Sequence, residues 1–437
     1  MRLAIGVGAF CASLLMAVSA LAGSGDTQLT SRQSNGGPGS NGDSEDPAAS
    51  ASGRFVAFES AATNLSGVDG PEDDVFLYDH KKRRVTLVSR RSKGGPGADG
   101  DSEDPSVSAS GRFVAYKSDA DNLSGADSDG TQDVFVYDRK TKRTSLVSRR
   151  SGKNGAGGDA NSDSPSISAD GRHVAFDSSA DNLIPAAVAA DNVFVYDRKR
   201  RRVSLVSRES NGGPGGDAPS SIPQISGNGR FVSFRSNADN LSGADVANSD
   251  VFVYDRKRRR VSLVSRESNG GPGADQSSNT HSISGDGRYI AYQSDGTNLS
   301  GVDGDGHDDV FVYDRRRKRV VLVSRESNKG PGGDDRSFDP SISADGRFVA
   351  FQCRADNLSN ADVDDVDDVM VYDLEKHRIR LASRRSNGGP GGNGFSGDPA
   401  ISASGRFVAF DSGATNLSAA DDDGLLIGDI FRHQLRR

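Results

Sequence analysis

The 437-residue chain has few of the residues that commonly cross-link or functionalise a small protein: two cysteines, no tryptophan and 6% aromatic residues. Cys11 lies in an apolar N-terminal run that we expect to be removed. Cys353 would then be left alone, which excludes an intramolecular disulfide. The scarcity of aromatic side chains also weakens a carbohydrate-stacking function.

Motifs of common hydrolases are missing as well. The chain has no G-x-S-x-G and no H-E-x-x-H, and its six histidines do not share a position in the repeat described below. His281, which we place at the start of an inner strand near the axis, is the one histidine with a candidate functional position.

The chain has a single long apolar run, residues 3–21, preceded by Arg2 and ending in a small-x-small site at Ala20-Leu21-Ala22. This pattern predicts a signal peptide over residues 1–22, cleaved near Gly23, and a periplasmic or secreted protein. An uncleaved membrane anchor is the alternative, because the run approaches spanning length. We expect no transmembrane segment after cleavage.

Hydrophobic residues make up only 34% of the chain, but they are concentrated in short runs such as "RFVAF" and "DVFVYD". A Gly-Arg pair followed by an aromatic residue or histidine recurs every 58 to 60 residues, with its glycine at Gly53, Gly111, Gly171, Gly229, Gly287, Gly346 and Gly405. Such regular spacing indicates one structural unit repeated seven times.

Each unit contains four strand-length runs joined by short turns. The two middle runs are apolar at odd and even positions, which is typical of strands covered on both faces. Sheets stacked face to face around an axis form a β-propeller. We therefore predict an all-β, seven-bladed β-propeller of four-stranded antiparallel blades, with repeats over about residues 47–91, 105–150, 165–209, 223–267, 280–326, 340–385 and 399–435.

The seventh copy ends without its fourth strand, whereas the chain begins with an isolated one, "DTQLTSR". We predict that residues 26–34 form the outer strand of blade seven and close residues 23–437 into a single domain. Closure would leave no open sheet edge.

The motif "SADGRFVAF" followed by "DVFVYD" resembles the WD40-like repeat of the TolB-like family, over nearly all of the mature chain. The resemblance implies a β-propeller and an envelope setting. TolB proteins of the Tol–Pal system carry an N-terminal α/β domain and six blades. This chain has room for no such domain and has seven copies, so a Tol–Pal role does not follow.

Two loops contain D-x-D-G-x-x-D, which places closely spaced oxygen ligands around a glycine turn and suits calcium. The spacing resembles the calcium loop of FG-GAP propellers without its first carboxylate. Ordinary Asp/Gly turns are the alternative, and we expect no other cofactor. The candidate ligands are Asp127, Asp129 and Asp133 in blade two, and Asp303, Asp305 and Asp309 in blade five.

The third turn of blades one to five is strongly basic, as in "RKRRR" from Arg198 and from Arg256. First and third turns of a meander share one face. The acidic loops and the Asp-bearing links, such as "DGDSED" from Asp99, would lie on the other face. A basic face would bind an anionic partner, and solvated hairpins are the alternative. The candidate binding residues are Arg200, Arg201, Arg258, Arg259, Arg316 and Arg317.

The sequence as a whole predicts an exported, non-catalytic, monomeric propeller that binds a protein or an anionic envelope component, with calcium as a candidate stabilising ion. Nucleic acid is disfavoured, because basic residues are not interleaved with aromatic ones. A hydrolase or lyase with its site at the channel mouth is the alternative. The inner strands, taken as "PSIS" and its variants, offer few titratable groups for it.

Overall fold

The computed structural model describes residues 26–67, 70–126, 130–185, 191–243, 248–302, 306–362, 365–421 and 427–435. In these residues, 28 strands form seven four-stranded antiparallel sheets, each a blade of a ring. The predicted seven-bladed β-propeller is confirmed. No helix within the described residues is long and apolar enough to cross a membrane.

The first three blades follow one another along the chain, each running from the inner to the outer strand. Blade one contains β2 to β5: Ser44–Ala49, Phe55–Ser60, Asp74–Asp79 and Arg84–Leu87. Blade two contains β6 to β9: Ser102–Val107, Phe113–Ser118, Asp133–Asp138 and Arg143–Leu146. Blade three contains β10 to β13: Ser162–Ile167, His173–Ser178, Asn192–Asp197 and Arg202–Leu205.

The remaining blades repeat this order. Blade four contains β14 to β17: Ser220–Ile225, Phe231–Ser236, Asp250–Asp255 and Arg260–Leu263. Blade five contains β18 to β21: Ser278–Ile283, Tyr289–Ser294, Asp309–Asp314 and Arg319–Leu322. Blade six contains β22 to β25: Ser337–Ile342, Phe348–Cys353, Asp368–Asp373 and Arg378–Leu381. Blade seven contains β26 to β28, Ser396–Ile401, Phe407–Ser412 and Asp429–Gln434, together with β1, Thr27–Leu29.

The hydrophobic core lies between the blades. Between blades one and two, Phe55 and Ala57 of β3 pack with Val114 and Tyr116 of β7, all of them buried. The third strands β4, β8, β12, β16, β20 and β24 are buried at every residue. Their apolar side chains on both faces therefore pack against two neighbouring blades, as predicted.

The Gly-Arg-aromatic motif connects each blade to the next. Gly111 has φ +67, and a Cβ there would lie 2.2 Å from Cδ2 of Phe55 in the preceding blade. The glycine thus allows the tight turn and leaves room for the neighbouring ring. The same contact joins every successive pair around the ring: Phe407 with Gly53, Phe113 with Gly171, His173 with Gly229, Phe231 with Gly287, Tyr289 with Gly346 and Phe348 with Gly405.

The Gly-rich links cover the outer edges of the blades. After β1, the hydroxyl of Ser34 accepts the Val85 N–H at 3.2 Å, and the Asn35 N–H donates to the Arg83 carbonyl at 2.6 Å. Each link thereby pairs with the outer strand of the following blade. This protects strand edges that would otherwise be open to association with other chains.

Strand β1 completes blade seven, with sheet order β1-β28-β27-β26. It runs antiparallel to β28, and Thr27, Gln28 and Leu29 lie opposite His433, Arg432 and Phe431. The Thr30 N–H donates to the Ile430 carbonyl at 2.7 Å, and the Gln434 N–H donates to the Asp26 carbonyl at 2.6 Å. The predicted closure of the ring is therefore confirmed.

Deleting residues 23–34 should open the ring. The backbone hydrogen bonds lost with β1 each contribute about 0.5–1.5 kcal/mol, and buried Leu29 is lost as well. We expect a lower melting temperature and self-association in analytical ultracentrifugation. A synthetic peptide of residues 23–34 added in trans should restore both properties. An intact melting temperature and a monomeric truncated chain would show that closure does not stabilise the ring.

Candidate functional site

The first turns of all seven blades and the third turns of blades one to six lie on one face of the ring, which we call the basic face. Its third turns in blades one to five are residues 80–83, 139–142, 198–201, 256–259 and 315–318. The arginines of the first and third turns fall into three main structural classes, and only the arginines in the middle of the third turns are mostly exposed.

The arginine that opens a third turn joins two blades. The Arg139 guanidinium lies 4.2 Å from the ring centroid of Phe55 in blade one and donates to the Gly111 carbonyl at 2.9 Å. Arg198 stacks in the same way on Phe113, and Arg315 on Phe231. These cations hold neighbouring blades together by cation–π contact.

The arginine of each Gly-Arg motif is paired within its own blade. Arg112 donates to both carboxylate oxygens of Asp138, at 2.9 and 2.8 Å. Burial is the largest influence on Asp138 and acts to raise its pKa, but hydrogen bonds from Arg112 and from the turn outweigh burial and hold the pKa at about 2. The equivalent pairs are Arg54 with Asp79, Arg172 with Asp197, Arg230 with Asp255, Arg288 with Asp314 and Arg347 with Asp373.

The central arginines of the third turns are exposed. The side chains of Arg200 and Arg258 are each 76% exposed, that of Arg316 72% and that of Arg317 75%. Their turns are nevertheless rigid, because the preceding strand-end aspartate accepts turn N–H groups, as Asp197 Oδ1 does from Arg200 at 3.1 Å. Blades three to five therefore present guanidinium groups at equivalent positions.

Arg201 and Arg259, the other two predicted binding residues in these turns, have left-handed backbones, with φ of 52 and 54. The Arg259 guanidinium lies against Gly212 in the preceding link, where a Cβ would come within 2.1 Å of it. At least Arg259 thus has a packing role besides its charge.

Two clefts on the basic face are rich in arginine. The cleft between blades three and four has a volume of about 440 Å³ and is lined by five arginines: Arg200, Arg202, Arg208, Arg256 and Arg259. The cleft between blades four and five has a volume of about 460 Å³ and is also lined by five: Arg230, Arg258, Arg288, Arg315 and Arg316. One aspartate lines the first cleft and two line the second, so both clefts keep a net positive charge.

Of the six predicted calcium ligands, Asp127, Asp129, Asp303 and Asp305 lie outside the described residues. Asp133 and Asp309 are the first residues of β8 and β20 and are buried. Each accepts a hydrogen bond at 2.5 Å from a serine beyond the outer strand, Ser148 or Ser324. Since the same pairing recurs in blade one as Asp74 with Ser89, this carboxylate belongs to the repeat. Calcium binding by the loops stays a prediction.

The central channel encloses about 450 Å³ and is lined by the inner strands. At the basic face, seven backbone hydrogen bonds join the first turns into a ring, from Ala51 N–H to the Ala109 carbonyl and so on to Ser404 N–H with the Ala51 carbonyl. Alanine and glycine at these positions bring the turns close together. The channel is therefore narrow at this end, and its other end lies at the opposite face.

The expectation that the inner strands offer few titratable groups is wrong. Each inner strand begins three residues before the "PSIS" position. The residues "SED" of blade two therefore belong to β6 and not to a link on the face opposite the basic face. Asp46, Asp104, Asp339 and Asp398 consequently line the channel. They belong to blades six, seven, one and two, which are consecutive around the ring.

A β-bulge directs these side chains. The pairing of β2 with β3 shifts between Glu45 and Ala48, and Asp46 inside this shift has φ 48. Aspartate tolerates the left-handed region better than most residues, and bulges re-aim side chains. In the sequence the bulge is visible only as an acidic residue before proline, which we read as part of a link.

Burial and mutual repulsion raise the pKa of the channel carboxyls. The pKa of Asp46 rises to about 8, through burial first and then through Asp398 and Asp104. Burial and the neighbouring Asp46 raise the pKa of Glu59 to about 8 as well. Burial followed by the Asp411 charge raises the pKa of Asp398 to about 7.

His281 lies in β18 as expected, but as its fourth residue and only 4% exposed. Burial lowers its pKa to about 4, so its ring is neutral at physiological pH. Its Nδ1 lies 3.2 Å from the Asn279 carbonyl.

No protein-family model and no curated protein matches the chain. Among solved structures, an oligogalacturonate lyase in complex with manganese is 12% identical with a TM-score of 0.53, over 94% of this chain and 97% of that chain. The β-propeller domain of the trilobed protease from Pyrococcus furiosus is 14% identical with a TM-score of 0.52, over 90% and 94%. TolB from Acinetobacter baumannii is 13% identical with a TM-score of 0.40, over 88% and 80%.

At such low identity, the two likenesses with a TM-score above 0.5 establish the β-propeller fold alone. That fold is the one implied by the resemblance to TolB-type repeats. The Pyrococcus domain is described as having an open velcro topology, whereas β1 closes the last blade here.

Replacing Arg112 with alanine should lower the melting temperature by a few degrees at pH 7. The Asp138 pKa lies below its ordinary value of 3.8, so the pair stabilises the fold above that pH, and the contribution is lost as pH falls toward about 2. The difference in melting temperature between wild type and Arg112→Ala should thus shrink below pH 4. Lys140→Ala, an exposed change in the same blade, is the control. A difference that is unchanged at pH 2.5 would contradict the ionic interaction.

Proposed function

We propose that the chain is an exported, non-catalytic binding protein of the cell envelope, and that its basic face binds an anionic partner, either an acidic protein or a phosphate-bearing envelope component. The observation that carries this proposal is the set of exposed guanidinium groups at equivalent positions of blades three, four and five.

The arrangement suits a surface that carries many negative charges. Exposed charges attract such a surface through their summed field, over a range of about 8–10 Å at ordinary salt. The backbone of each turn is already held in place, because Asp197, Asp255 and Asp314 accept hydrogen bonds from the turn N–H groups. Less conformational entropy is then lost on binding than with a flexible basic tail.

The two arginine-lined clefts add specificity to this general attraction. Guanidinium groups form paired hydrogen bonds with carboxylate and phosphate oxygens. A cleft of about 440 Å³ bordered by Arg200 and Arg259 has room for a phosphate group or a glutamate side chain. Four of the six predicted binding residues border these clefts: Arg200, Arg258, Arg259 and Arg316.

The remaining expectations enter the proposal unchanged. Export depends on the signal predicted over residues 1–22, and stabilisation by calcium depends on the loops of blades two and five. A monomer is expected, because β1 and the links cover the outer strand edges.

An enzyme is the second candidate, favoured by the carboxyls that converge in the channel. Asp46 and Asp398, with raised pKa values of about 8 and 7, have the protonation behaviour of general acids at neutral pH. The described residues that line the channel include no lysine or arginine, so the channel offers no cation to a polyanion such as oligogalacturonate, the substrate named for a lyase of similar fold. A neutral or cationic substrate fits better, and its turnover should be lost in Asp46→Asn.

Reversing charge in the double variant Arg258→Glu/Arg317→Glu should leave the fold intact and weaken binding to anionic phospholipid vesicles. Near such a membrane each arginine contributes about 1 kcal/mol, so the loss should be at least about tenfold. Adding Arg200→Glu and Arg316→Glu should abolish binding. Co-sedimentation at low and high salt measures both effects.

The matched control is Arg336→Glu/Arg354→Glu, which changes the net charge equally but next to β22 and β23 at the opposite end of the blade. Vesicle binding should be retained in this control. The same measurement with polyglutamate in place of vesicles distinguishes the two kinds of partner: binding to polyglutamate favours an acidic protein, and binding to vesicles alone favours a lipid. The proposal fails if wild type binds neither, or if the two double variants lose binding equally.

A further inference from the structure

Three carboxylates converge in the channel at the junction of blades one and two. Asp46 in β2, Glu59 in β3 and Asp104 in β6 each offer an oxygen, and the three oxygens lie within 4.8 Å of one another. Calcium binds oxygen at about 2.3–2.6 Å, so two ligands of one ion are at most about 5 Å apart. Among the described residues, this is the one group of three or more potential metal ligands that meets this condition.

The Glu59 carboxylate is held in place by the fold. Its Oε2 accepts the Asp104 N–H at 2.9 Å, which satisfies the backbone of the bulge in blade two. Asp177 does the same in blade three, where its Oδ1 accepts the Ile222 N–H at 3.3 Å. In that blade Ser164 replaces the channel aspartate, so the cap is present without the acidic cluster.

An independent observation concerns Asp411, which occupies in blade seven the strand position that Glu59 occupies in blade one. Its side chain is buried, with the residue 7% exposed, and its Oδ1 has no hydrogen-bond partner within the described part of the chain. Its strand, β27, packs against β2, which carries Asp46, in the same way as β3 with Glu59 packs against β6 with Asp104. Its charge accordingly raises the pKa of Asp46. A buried carboxylate oxygen without a partner is costly unless a cation or a proton compensates it.

The protein's own cation compensates only one side of the cluster. Lys117 Nζ lies 2.9 Å from Asp104 and within 3.3 Å of Glu103 and Asp163. On the other side, the largest influences on Asp46 are burial and the charges of Asp398, Asp104, Asp411 and Glu45, all of which oppose its ionisation. Carboxyl groups thus crowd together between blades seven and one.

We propose that Asp46, Glu59 and Asp104 bind a hard divalent cation in the channel, with Asp411 and Asp398 adding to its attraction from blade seven. The donors are all carboxylate oxygens, which favour calcium over soft metals. The ion would join blades one and two at the inner edge of the ring. This site is separate from the basic face and from the loops of blades two and five.

Calcium chloride is the probe. Isothermal titration into chelator-stripped full-length mature protein should give a site that Asp46→Asn and Asp104→Asn each weaken at least tenfold. Asparagine keeps the shape of the side chain and tolerates the positive φ of both positions. Relieving the crowding of buried carboxyl groups should also raise the melting temperature in chelator, whereas calcium should raise it in wild type and not in the variants.

Asp177→Asn is the control, because it makes the same change at a buried carboxyl next to an inner strand but outside the cluster, and it should leave calcium affinity unchanged. The double variant Asp129→Ala/Asp305→Ala tests the predicted loop sites, and the channel site should survive in it. The proposal is overturned if wild type neither binds calcium nor gains stability at about 10 mM calcium, roughly tenfold above the weakest dissociation constants of extracellular calcium modules. It is equally overturned if Asp46→Asn and Asp104→Asn bind as wild type does, or if Asp177→Asn weakens binding to the same extent.

Discussion

The structure depends on the stacking of one aromatic ring on the glycine of the next blade. Each Gly-Arg-aromatic motif both receives a ring from the preceding blade and supplies one to the following blade, so the contact propagates around the whole circle. Replacement of one glycine would therefore disturb a turn and a blade interface together. The pairing also explains why the motif recurs with so little variation: every copy has to fit two neighbours.

Arginine has three separate tasks in this protein, and sequence alone does not distinguish them. Arg112 pairs with a strand-end aspartate, Arg139 stacks between blades, and Arg258 extends into solvent. A stretch such as "RKRRR" contains the second and third classes side by side. The total charge of such a stretch is larger than the charge exposed to a partner, because its first arginine is packed between two blades. The exposed class therefore supplies most of the charge that an anionic partner would meet.

The fold and its closure were predictable because both follow from comparing copies of one repeat. The buried middle strands identified the blades, and the incomplete seventh copy identified β1. The acidic channel was not predictable in the same way. Asp46 and Asp104 precede prolines, in a context typical of turns, and only the bulge places them in an inner strand. The pairing of the inner strand with the second strand decided their position. Cys353, by contrast, could be recognised as a substitute for serine, because the other six copies have serine at this position.

The pairing of β1 with β28 also has a kinetic meaning. Thr27 and His433, whose side chains form a hydrogen bond at 2.8 Å, are 406 residues apart in the chain. The loop closed by this contact is almost as long as the protein, and contacts of such separation form late and slowly. Until they form, blade seven has three strands and an exposed edge, while six near-identical blades offer competing partners for β1. Correct closure thus requires β1 to pair with blade seven and not with one of six similar blades. It pairs there because the outer position of every other blade is already occupied by that blade's own fourth strand.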